Sequence, residues 1–285
     1  MAGYYTSQSP TTDSGQHVHL LDRLPTDLAG IAEVTQGLIY HYTAGRFLFG
    51  WEPPQERISE INTRTLRQIL PLLMAKDDRP LPVAREYPNR MIGCCRDFSL
   101  IACAILRQQG RAARLRYGFA SYFDPGYWGD HVVVETWTGE RWQRFDPQLA
   151  GVREWGVDLL DLPDNAFVTG GRAWLMCRRE GADPDRFGLG PNVKDVRGWW
   201  FIRERLRLDV ASLQKVELLC WDTVEGLNEL EPADAAILDE MASLSLNPDS
   251  DALRQRCASD PRWQLPATVS CFHPLIGPAF PIAVA

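Results

Sequence analysis

Three residues of this sequence, Cys95, His131 and Asp146, are of the types that together perform nucleophilic catalysis. In such a triad a thiolate attacks a carbonyl carbon, and an imidazole takes the thiol proton and later gives it to the leaving group. The carboxylate holds the imidazole in one tautomer. Singly, each residue has an ordinary explanation: a packing cysteine, a surface histidine, or a turn aspartate before Pro147. Their order and the elements expected to carry them favour catalysis, so we predict nucleophile, base and orienting acid respectively.

The helix expected to carry the cysteine begins near Gly93 and ends at Gly110. Its apolar residues recur on one face, and the terminal glycine suits the left-handed conformation that ends helices. Cys94 and Cys95 fall at or just before the first turn, where unpaired N–H groups and the helix dipole stabilise a thiolate. The helical phase alone does not choose between them, because both side chains fall toward the apolar face.

Three stretches rich in β-branched and aromatic residues follow this helix and predict an antiparallel meander. They are residues 113–123, 131–137 and 141–146. If Thr138 and Gly139 form a two-residue hairpin turn, the numbers of paired residues sum to 277. His131 then lies directly opposite Asp146, with Cβ atoms ~5 Å apart, close enough for a hydrogen bond. A three-residue loop would shift this pairing by one.

Helical periodicity predicts most of the remaining chain, and the proline-rich end is expected to be extended. The expected helices are residues 24–42, with Gly45 as the stop, and residues 56–74, 173–179, 198–213, 233–244 and 250–258. A helix followed by an antiparallel meander is the order of an α+β fold. We expect three parts: a flexible leader at 1–16, a catalytic core at 17–155, and a C-terminal extension at 156–285 packed on the core.

The predicted triad residues stand within a series of short motifs. These are GCCRDFS at 93–99, LR at 106–107, Gly110, AAR at 112–114, GF at 118–119, DHVVVE at 130–135, and Trp142 with FDP at 145–147. In this order they resemble the transglutaminase-like superfamily over roughly residues 90–150. The resemblance assigns the nucleophile to Cys95 rather than Cys94. It departs at Val133, where the family often has an aromatic residue, which concerns the substrate channel and not the triad.

The resemblance implies a papain-like thiol mechanism in an α+β core, with the cysteine helix packed on an antiparallel sheet and helical additions at both ends. It implies acyl transfer or hydrolysis at an amide or thioester through an acyl-cysteine intermediate. The substrate would be a peptide, a protein or a small molecule. Alternatives are a cysteine peptidase or amidase, and a non-catalytic binding module that uses the acidic C-terminal third.

An oxyanion hole is also required, and the backbone N–H of Cys95 is a natural donor. The second donor stays open among three upstream side chains, Gln55, Asn62 and Asn89. Aromatic residues that could line the cleft are Tyr117, Tyr122, Tyr127 and Trp128.

Composition excludes several classes of protein. Hydrophobic residues make up 45% of the 285 residues and charged residues 24%, with no apolar run of membrane-spanning length and no signal peptide. The net charge of −7 argues against nucleic-acid binding. Seven scattered cysteines without a C-x-x-C pair predict neither a disulfide framework nor a zinc site. We therefore expect a cytoplasmic enzyme without metal or cofactor, and 27 arginines against 3 lysines suggest a GC-rich bacterial source.

Overall fold

The structure, a computed structural model, describes residues 2–249 and 251–284. Its α-helices are α1 (Leu28–Leu38), α2 (Ala44–Phe49), α3 (Leu66–Lys76), α4 (Cys95–Gln108), α5 (Gly170–Arg179), α6 (Trp199–Leu213), α7 (Pro232–Ser245) and α8 (Ala252–Ser259). Its strands are β1 (Ile39–His41), β2 (Met91–Gly93), β3 (Ala113–Ala120), β4 (Trp128–Trp137), β5 (Trp142–Phe145), β6 (Phe167–Thr169), β7 (Phe187–Gly188), β8 (Asp222–Thr223), β9 (Thr268–Cys271) and β10 (Phe280–Ala283). No helix in these two ranges is long and apolar enough to cross a membrane.

A five-stranded sheet built around β3 and β4 positions the rest of the fold. Its order is β5-β4-β3-β6 with antiparallel neighbours, and β7 pairs in parallel with the start of β4. Side chains of β3 alternate between the two faces, as strand geometry requires. Leu115 and Tyr117 join the cluster that contains α4, whereas Arg116 reaches α6. The predicted α+β class is confirmed.

Helix α4 is buried on nearly all sides, because every residue from Cys95 to Arg107 is buried. It packs on β3, β4 and α1, and the Ser99 hydroxyl donates to the carbonyl of Val132 at 3.0 Å. The predicted bounds, 93 and 110, differ from the observed ones by two residues at each end. The apolar period therefore located the helix that carries Cys95.

Burial of α4 also buries Arg107, whose charge must then find partners inside the protein. Its Nη1 donates to Glu217 Oε1 at 3.1 Å and to the Thr12 hydroxyl at 3.0 Å. Glu217 Oε2 in turn accepts from the Ser9 hydroxyl at 2.8 Å. One buried arginine thus holds together α4, the N-terminal segment and the chain that follows α6.

The flexible leader predicted for residues 1–16 is wrong from residue 2 onward. Residues Ala2–Thr6 form a 3-10 helix, and Tyr5 is only 1% exposed, with its hydroxyl donating to the carbonyl of Leu213 at 2.9 Å. Ser9, Thr11 and Thr12 are buried against Glu217. The polar composition suggested disorder, but these hydroxyls are the hydrogen-bond partners of buried charges.

The first predicted helix was too long. It begins as expected, with the Asp27 carboxylate accepting from the N–H of Gly30 at 2.8 Å. It ends at Leu38, however, because Ile39 and Tyr40 pair in parallel with β2. Gly45 is not its stop but lies inside α2.

The second predicted helix, residues 56–74, is two elements. A 3-10 helix runs over Gln55–Asn62, and α3 begins after Thr65. The Gln68 side chain accepts from the N–H of Thr65 at 3.1 Å, which is half of a capping box at a new helix start. Apolar spacing continues across the break and so concealed it.

The C-terminal helices match their predictions closely, but the domain boundary near residue 155 does not separate two structures. Strands β6 and β7 both follow residue 155 and belong to the central sheet. Helices α5 and α6 pack on β3. The proline-rich end forms β9 and β10, which pair with each other and with β8. Residues 156–249 and 251–284 are therefore part of the same core. Ser250, the first residue of the helix predicted at 250–258, lies outside the described residues.

The hairpin register also differs from its prediction. The connection is four residues, 138–141, with Trp137 paired to Trp142, so that paired numbers sum to 279. The N–H and hydroxyl of Thr138 both donate to the carbonyl of Arg141, at 3.0 and 3.1 Å. Asp146 thus lies just beyond β5, diagonal to His131 instead of opposite to it.

A buried ion network links the sheet to α6. Arg116 donates to Glu135 at 2.9 Å and, through two nitrogens, to Asp209 at 2.9 and 2.8 Å. Burial acts to raise the pKa of Glu135, but the charges of Arg116, Arg114 and Arg144 outweigh it and hold that pKa well below its usual range. The network replaces water around charges on the face of the sheet opposite α4.

We expect Asp209→Ala to lower the free energy of unfolding by about 3–5 kcal/mol, because it removes the two carboxylate oxygens that accept from buried Arg116 and from the N–H of Tyr117. The matched control is Asp161→Ala, which breaks an exposed pair with Arg141 and should cost no more than about 1 kcal/mol. Urea unfolding of both variants measures the difference. Equal losses would mean that the buried network does not hold α6 to the sheet.

Candidate active site

The Asp146 carboxylate is fully buried and accepts hydrogen bonds at both oxygens. Its Oδ2 accepts from His131 Nε2 and from the Tyr122 hydroxyl, each at 2.8 Å. Its Oδ1 accepts from the backbone N–H groups of Gln148 at 2.9 Å and Leu149 at 3.1 Å. Four donors fix the orientation of a carboxylate, so Asp146 can hold the His131 ring with its proton on Nε2.

His131 lies on β4 and is 2% exposed. The ring edges of Phe123 and Tyr122 enclose it, with centroids 5.0 and 6.3 Å from the imidazole. Because Nε2 bonds to Asp146, Nδ1 is the nitrogen that a thiol would use. The ring is thus oriented by one carboxylate and packed by two aromatic residues.

Cys95 is the first residue of α4, and its side chain lies near Tyr122 and Asp130. The preceding N–H, that of Cys94, donates to the Asp97 carboxylate at 2.8 Å, which caps the helix. First-turn N–H groups such as that of Cys95 have no acceptor within a helix. The thiol therefore stands where a helix dipole and a free backbone donor meet.

A third thiol joins this pair, because Cys220 from the chain between α6 and β8 lies 3.9 Å from Cys95, sulfur to sulfur. The sulfur atoms of Cys94, Cys95 and Cys220 all lie within 4.8 Å of one another. Cys95 is 6% exposed and Cys220 is half-buried. The sulfur atoms of Cys220 and Cys95 are therefore in contact.

The pKa values of Cys95 and Cys220 are shifted in opposite directions. Hydrogen bonds donated by Cys94 and Cys95 hold the pKa of Cys220 well below the usual thiol range. For Cys95, the hydrogen bond to Cys220 and then burial raise the pKa well above that range. A second negative charge in the same buried space would be repelled by the first.

Residues of the C-terminal half form the remaining walls. Arg205 of α6 makes a two-nitrogen ion pair with Asp130, and both side chains are buried. The Tyr42 hydroxyl and His273 Nε2 are 3.2 Å apart, and the Trp221 ring packs edge-on against His273 with centroids 4.7 Å apart. Burial, followed by the nearby thiols, raises the pKa of Tyr42, so its hydroxyl stays protonated and can donate.

Comparison with known proteins identifies the region that holds these residues. Residues 46–147 match the family model described as transglutaminase-like superfamily. Residues 46–147 are transglutaminase-like. The matched segment contains Cys95, His131 and Asp146, and this match supports thiol-dependent catalysis in general.

A search of curated proteins found no match to the chain. Among solved structures, the chain is similar to a Cytophaga hutchinsonii protein provisionally named a cysteine protease, at 16% identity and a TM-score of 0.34. The similarity covers 58% of this chain and 44% of that protein. The chain thus spans less than half the length of that structure.

The transglutaminase-like segment brings some predicted residues together and leaves others apart. His131, Asp146 and Tyr122 form one hydrogen-bonded group, and Cys95 is close enough to Tyr122 to interact with it electrostatically. Tyr117 is buried in the core, where its hydroxyl donates to the carbonyl of Leu218 at 2.5 Å. The other two aromatic candidates, Tyr127 and Trp128, line a separate cavity with Phe187.

None of the three proposed oxyanion donors has a hydrogen bond to Cys95 among the residues that the structure describes. Asn62 is engaged by the Cys271 thiol at 3.6 Å and by Arg64 at 3.3 Å. Gln55 is exposed and Asn89 lies in a 3-10 turn. Residue spacing gives no sign of Tyr42, which lies near the thiols because β1 pairs with β2 immediately before Cys94.

His41 beside the transglutaminase-like site is held neutral. Its pKa is lowered to about 3, mainly by burial and then by the charge of His131. Its Nδ1 accepts from the N–H groups of Thr43 and Ala44, both at 3.2 Å, and protonation would break these bonds. The unfolded chain binds a proton here near pH 6.5, whereas the folded chain does not until about pH 3. This residue therefore destabilises the fold as pH falls through that window.

We expect His41→Gln to flatten the loss of stability below pH 6.5, a loss of at most about 1.4 kcal/mol per pH unit from this one group. Urea midpoints of wild type and variant, compared at pH 7 and at about pH 5, measure the change. His19→Gln, in the exposed part of a 3-10 helix, is the control and should leave the pH dependence as in wild type. Parallel curves for wild type and His41→Gln would contradict the assignment.

Proposed function

We propose that this protein is a thiol enzyme that transfers or hydrolyses acyl groups at an amide or thioester through an acyl-Cys95 intermediate. The observation that carries the proposal is the 2.8 Å bond from His131 Nε2 to a fully hydrogen-bonded Asp146, in a segment whose family uses thiols. Cys95, His131 and Asp146 take the roles of nucleophile, base and orienting acid.

In the first half-reaction, His131 Nδ1 takes the proton of the Cys95 thiol, and the thiolate attacks the carbonyl carbon of the substrate. The bond from that carbon to nitrogen or sulfur breaks, and the imidazolium gives its proton to the leaving amine or thiol. In the second half-reaction, water or an amine attacks the thioester carbon while His131 removes a proton from it. The bond from that carbon to the Cys95 sulfur breaks, the acid or amide product leaves, and the imidazolium returns its proton to the sulfur.

The developing oxyanion needs donors. The backbone N–H of Cys95 is one, as expected for the first residue of a helix. We propose the Tyr42 hydroxyl as the second, because it is protonated and lies close enough to the thiols to respond to their charge. This replaces the three side chains considered from spacing alone.

A place for the attacking water is supported by a cavity of about 20 Å³. It is lined in part by His41, Phe98 and Gln148, which adjoin the elements that carry the three proposed catalytic residues. A cavity of this size holds about one water molecule. A larger acceptor would need the site to open.

Opening is required in any case, because Cys95 is only 6% exposed and its sulfur is in contact with that of Cys220. We propose that substrate displaces the side chains of Cys220 and Trp221. The closed thiols favour a second candidate, a non-catalytic binding module, in which Cys95 stays covered. Substrate-dependent acylation of Cys95 separates the two.

We also propose a cytoplasmic location. All seven cysteines are free. Free thiols in this number persist in a reducing compartment.

We expect covalent acylation of Cys95 when the reduced protein is incubated with glutamine-peptide, peptide and thioester donors in turn. Intact mass reports the adduct, and peptide mapping locates it. Cys95→Ala should lose both adduct and turnover, because it removes the nucleophile, while Cys94→Ala keeps both. Cys177→Ala is the control for loss of a distant cysteine. Equal loss in Cys94→Ala and Cys95→Ala would refute the assignment within the pair, and no adduct with any donor would favour the binding module.

We expect Asp146→Asn to lower kcat by about 10²–10⁴-fold with little change in KM, because its task is to orient the imidazole. Steady-state kinetics with the donor identified by mass measures both constants. Tyr122→Phe, which removes one of the four donors to Asp146, should have a smaller effect in the same direction. A dominant rise in KM would show that Asp146 acts in substrate binding.

A further inference from the structure

We propose that the sulfur atoms of Cys94, Cys95 and Cys220 form a binding site for a thiophilic divalent ion such as Zn²⁺. The three atoms lie within 4.8 Å of one another, and no other group of three such ligand residues is as close in residues 2–249 and 251–284. Cysteine thiolates are the preferred ligands of zinc. Cys94 and Cys95 are adjacent in the sequence, and Cys220 is 125 residues from Cys95.

The sulfur separation suits a metal ion. Zinc–sulfur bonds of about 2.3 Å in tetrahedral geometry place two sulfur atoms about 3.8 Å apart. The Cys95 and Cys220 sulfur atoms are 3.9 Å apart. A disulfide would require about 2.05 Å, and hence a movement of nearly 2 Å. The cluster can therefore accept an ion with less rearrangement than oxidation would need.

The backbone beside each ligand is anchored, so the site is organised before an ion arrives. Arg96, next to Cys95, donates to the carbonyl of Glu217 at 2.5 Å, and this ties the Cys220 segment to α4. On the same segment, the N–H of Leu219 donates to Asp222 at 2.8 Å. Asp222 is in turn held by Arg64 through two nitrogens, at 2.6 and 2.8 Å.

The charge balance also suits a dication. Three thiolates bound to Zn²⁺ give a centre of net charge −1. Arg205 and Arg96 are close enough to interact electrostatically with Cys220, and both oppose that charge. Cys220, the half-buried member, gives solvent a route to the ion and leaves the fourth position to water.

An ion in this site would occupy the lone pair of Cys95 and block attack on a carbonyl carbon reversibly. Metal occupancy would thus switch off the proposed enzyme until a chelator or a stronger ligand removed the ion. The site itself does not rest on that proposed function, because three thiols can bind an ion whether or not Cys95 is ever acylated.

The test is a titration of the reduced full-length protein with Cd²⁺, which reports thiolate coordination by its ultraviolet charge-transfer band, and with Zn²⁺ against a chromophoric chelator. We expect one ion per chain. Cys220→Ser should weaken binding at least about 100-fold, the upper end of what loss of a supporting residue causes. Cys177→Ser removes a cysteine outside the cluster and should bind as wild type does.

A second measurement uses the wild type alone, so that its outcome does not depend on the folding of a variant. Zn²⁺ should protect Cys220 from alkylation, as mapped by mass, and chelator should restore the labelling. Absence of the charge-transfer band, equal affinity in Cys220→Ser, or alkylation of Cys220 unchanged by Zn²⁺ would each overturn the site. Because these readouts involve no substrate, they are independent of the acylation experiment.

Discussion

The burial of charged residues on α4 is the constraint on which the rest of the structure depends. A helix buried on nearly all sides cannot leave Arg96 and Arg107 in contact with water, and unpaired charges inside a protein are strongly destabilising. Arg107 therefore requires Glu217 and the hydroxyls of the N-terminal segment, while Arg96 requires the carbonyls of Arg64 and Glu217. The partners of Arg96 are thereby held next to the start of the helix, where Cys95 lies, and the partners of Arg107 are held near its end.

The same constraint explains why both halves of the chain form the site. The chain after α6 is fixed by Glu217, and Cys220 follows three residues later. Helix α6 is fixed by Asp209 through Arg116, and the same helix carries Arg205 to Asp130. The candidate site is therefore built from α4 and the sheet on one side and from the partners of their buried charges on the other.

Local patterns in the sequence predicted much of this fold, and long-range pairing accounts for the failures. The apolar period located α4, and strand-like composition located β3, β4 and β5 in the right order. The hairpin register was wrong because the hydrogen bonds of Thr138 close a four-residue connection that residue spacing does not reveal. The polar composition of the leader predicts disorder. Its hydroxyls are ordered because they bind buried charges on α4 and Glu217, which the local sequence does not reveal.

The candidate site was predictable to a similar extent. His131 and Asp146 are in contact although the pairing that suggested it was off by two, because a diagonal neighbour is still within reach of an imidazole. The contact between Cys220 and Cys95 could not be predicted, since no spacing rule connects residues 125 positions apart. Tyr42 was assigned to a helix end, and only the parallel pairing of β1 and β2 brings it near the thiols.

The ion pairs that leave the matched segment bear on how such a domain could be recombined with others. Arg107, Arg116 and Asp130 lie within residues 46–147, yet their partners Glu217, Asp209 and Arg205 all lie outside it. An excised copy of that segment would retain the three proposed catalytic residues, but Arg107 and Asp130 would lose their ion-pair partners and Arg116 would keep only Glu135. The matched segment therefore depends on charges from the rest of the chain, and a gene fusion that transplanted it alone would have to supply substitutes for the lost counter-charges.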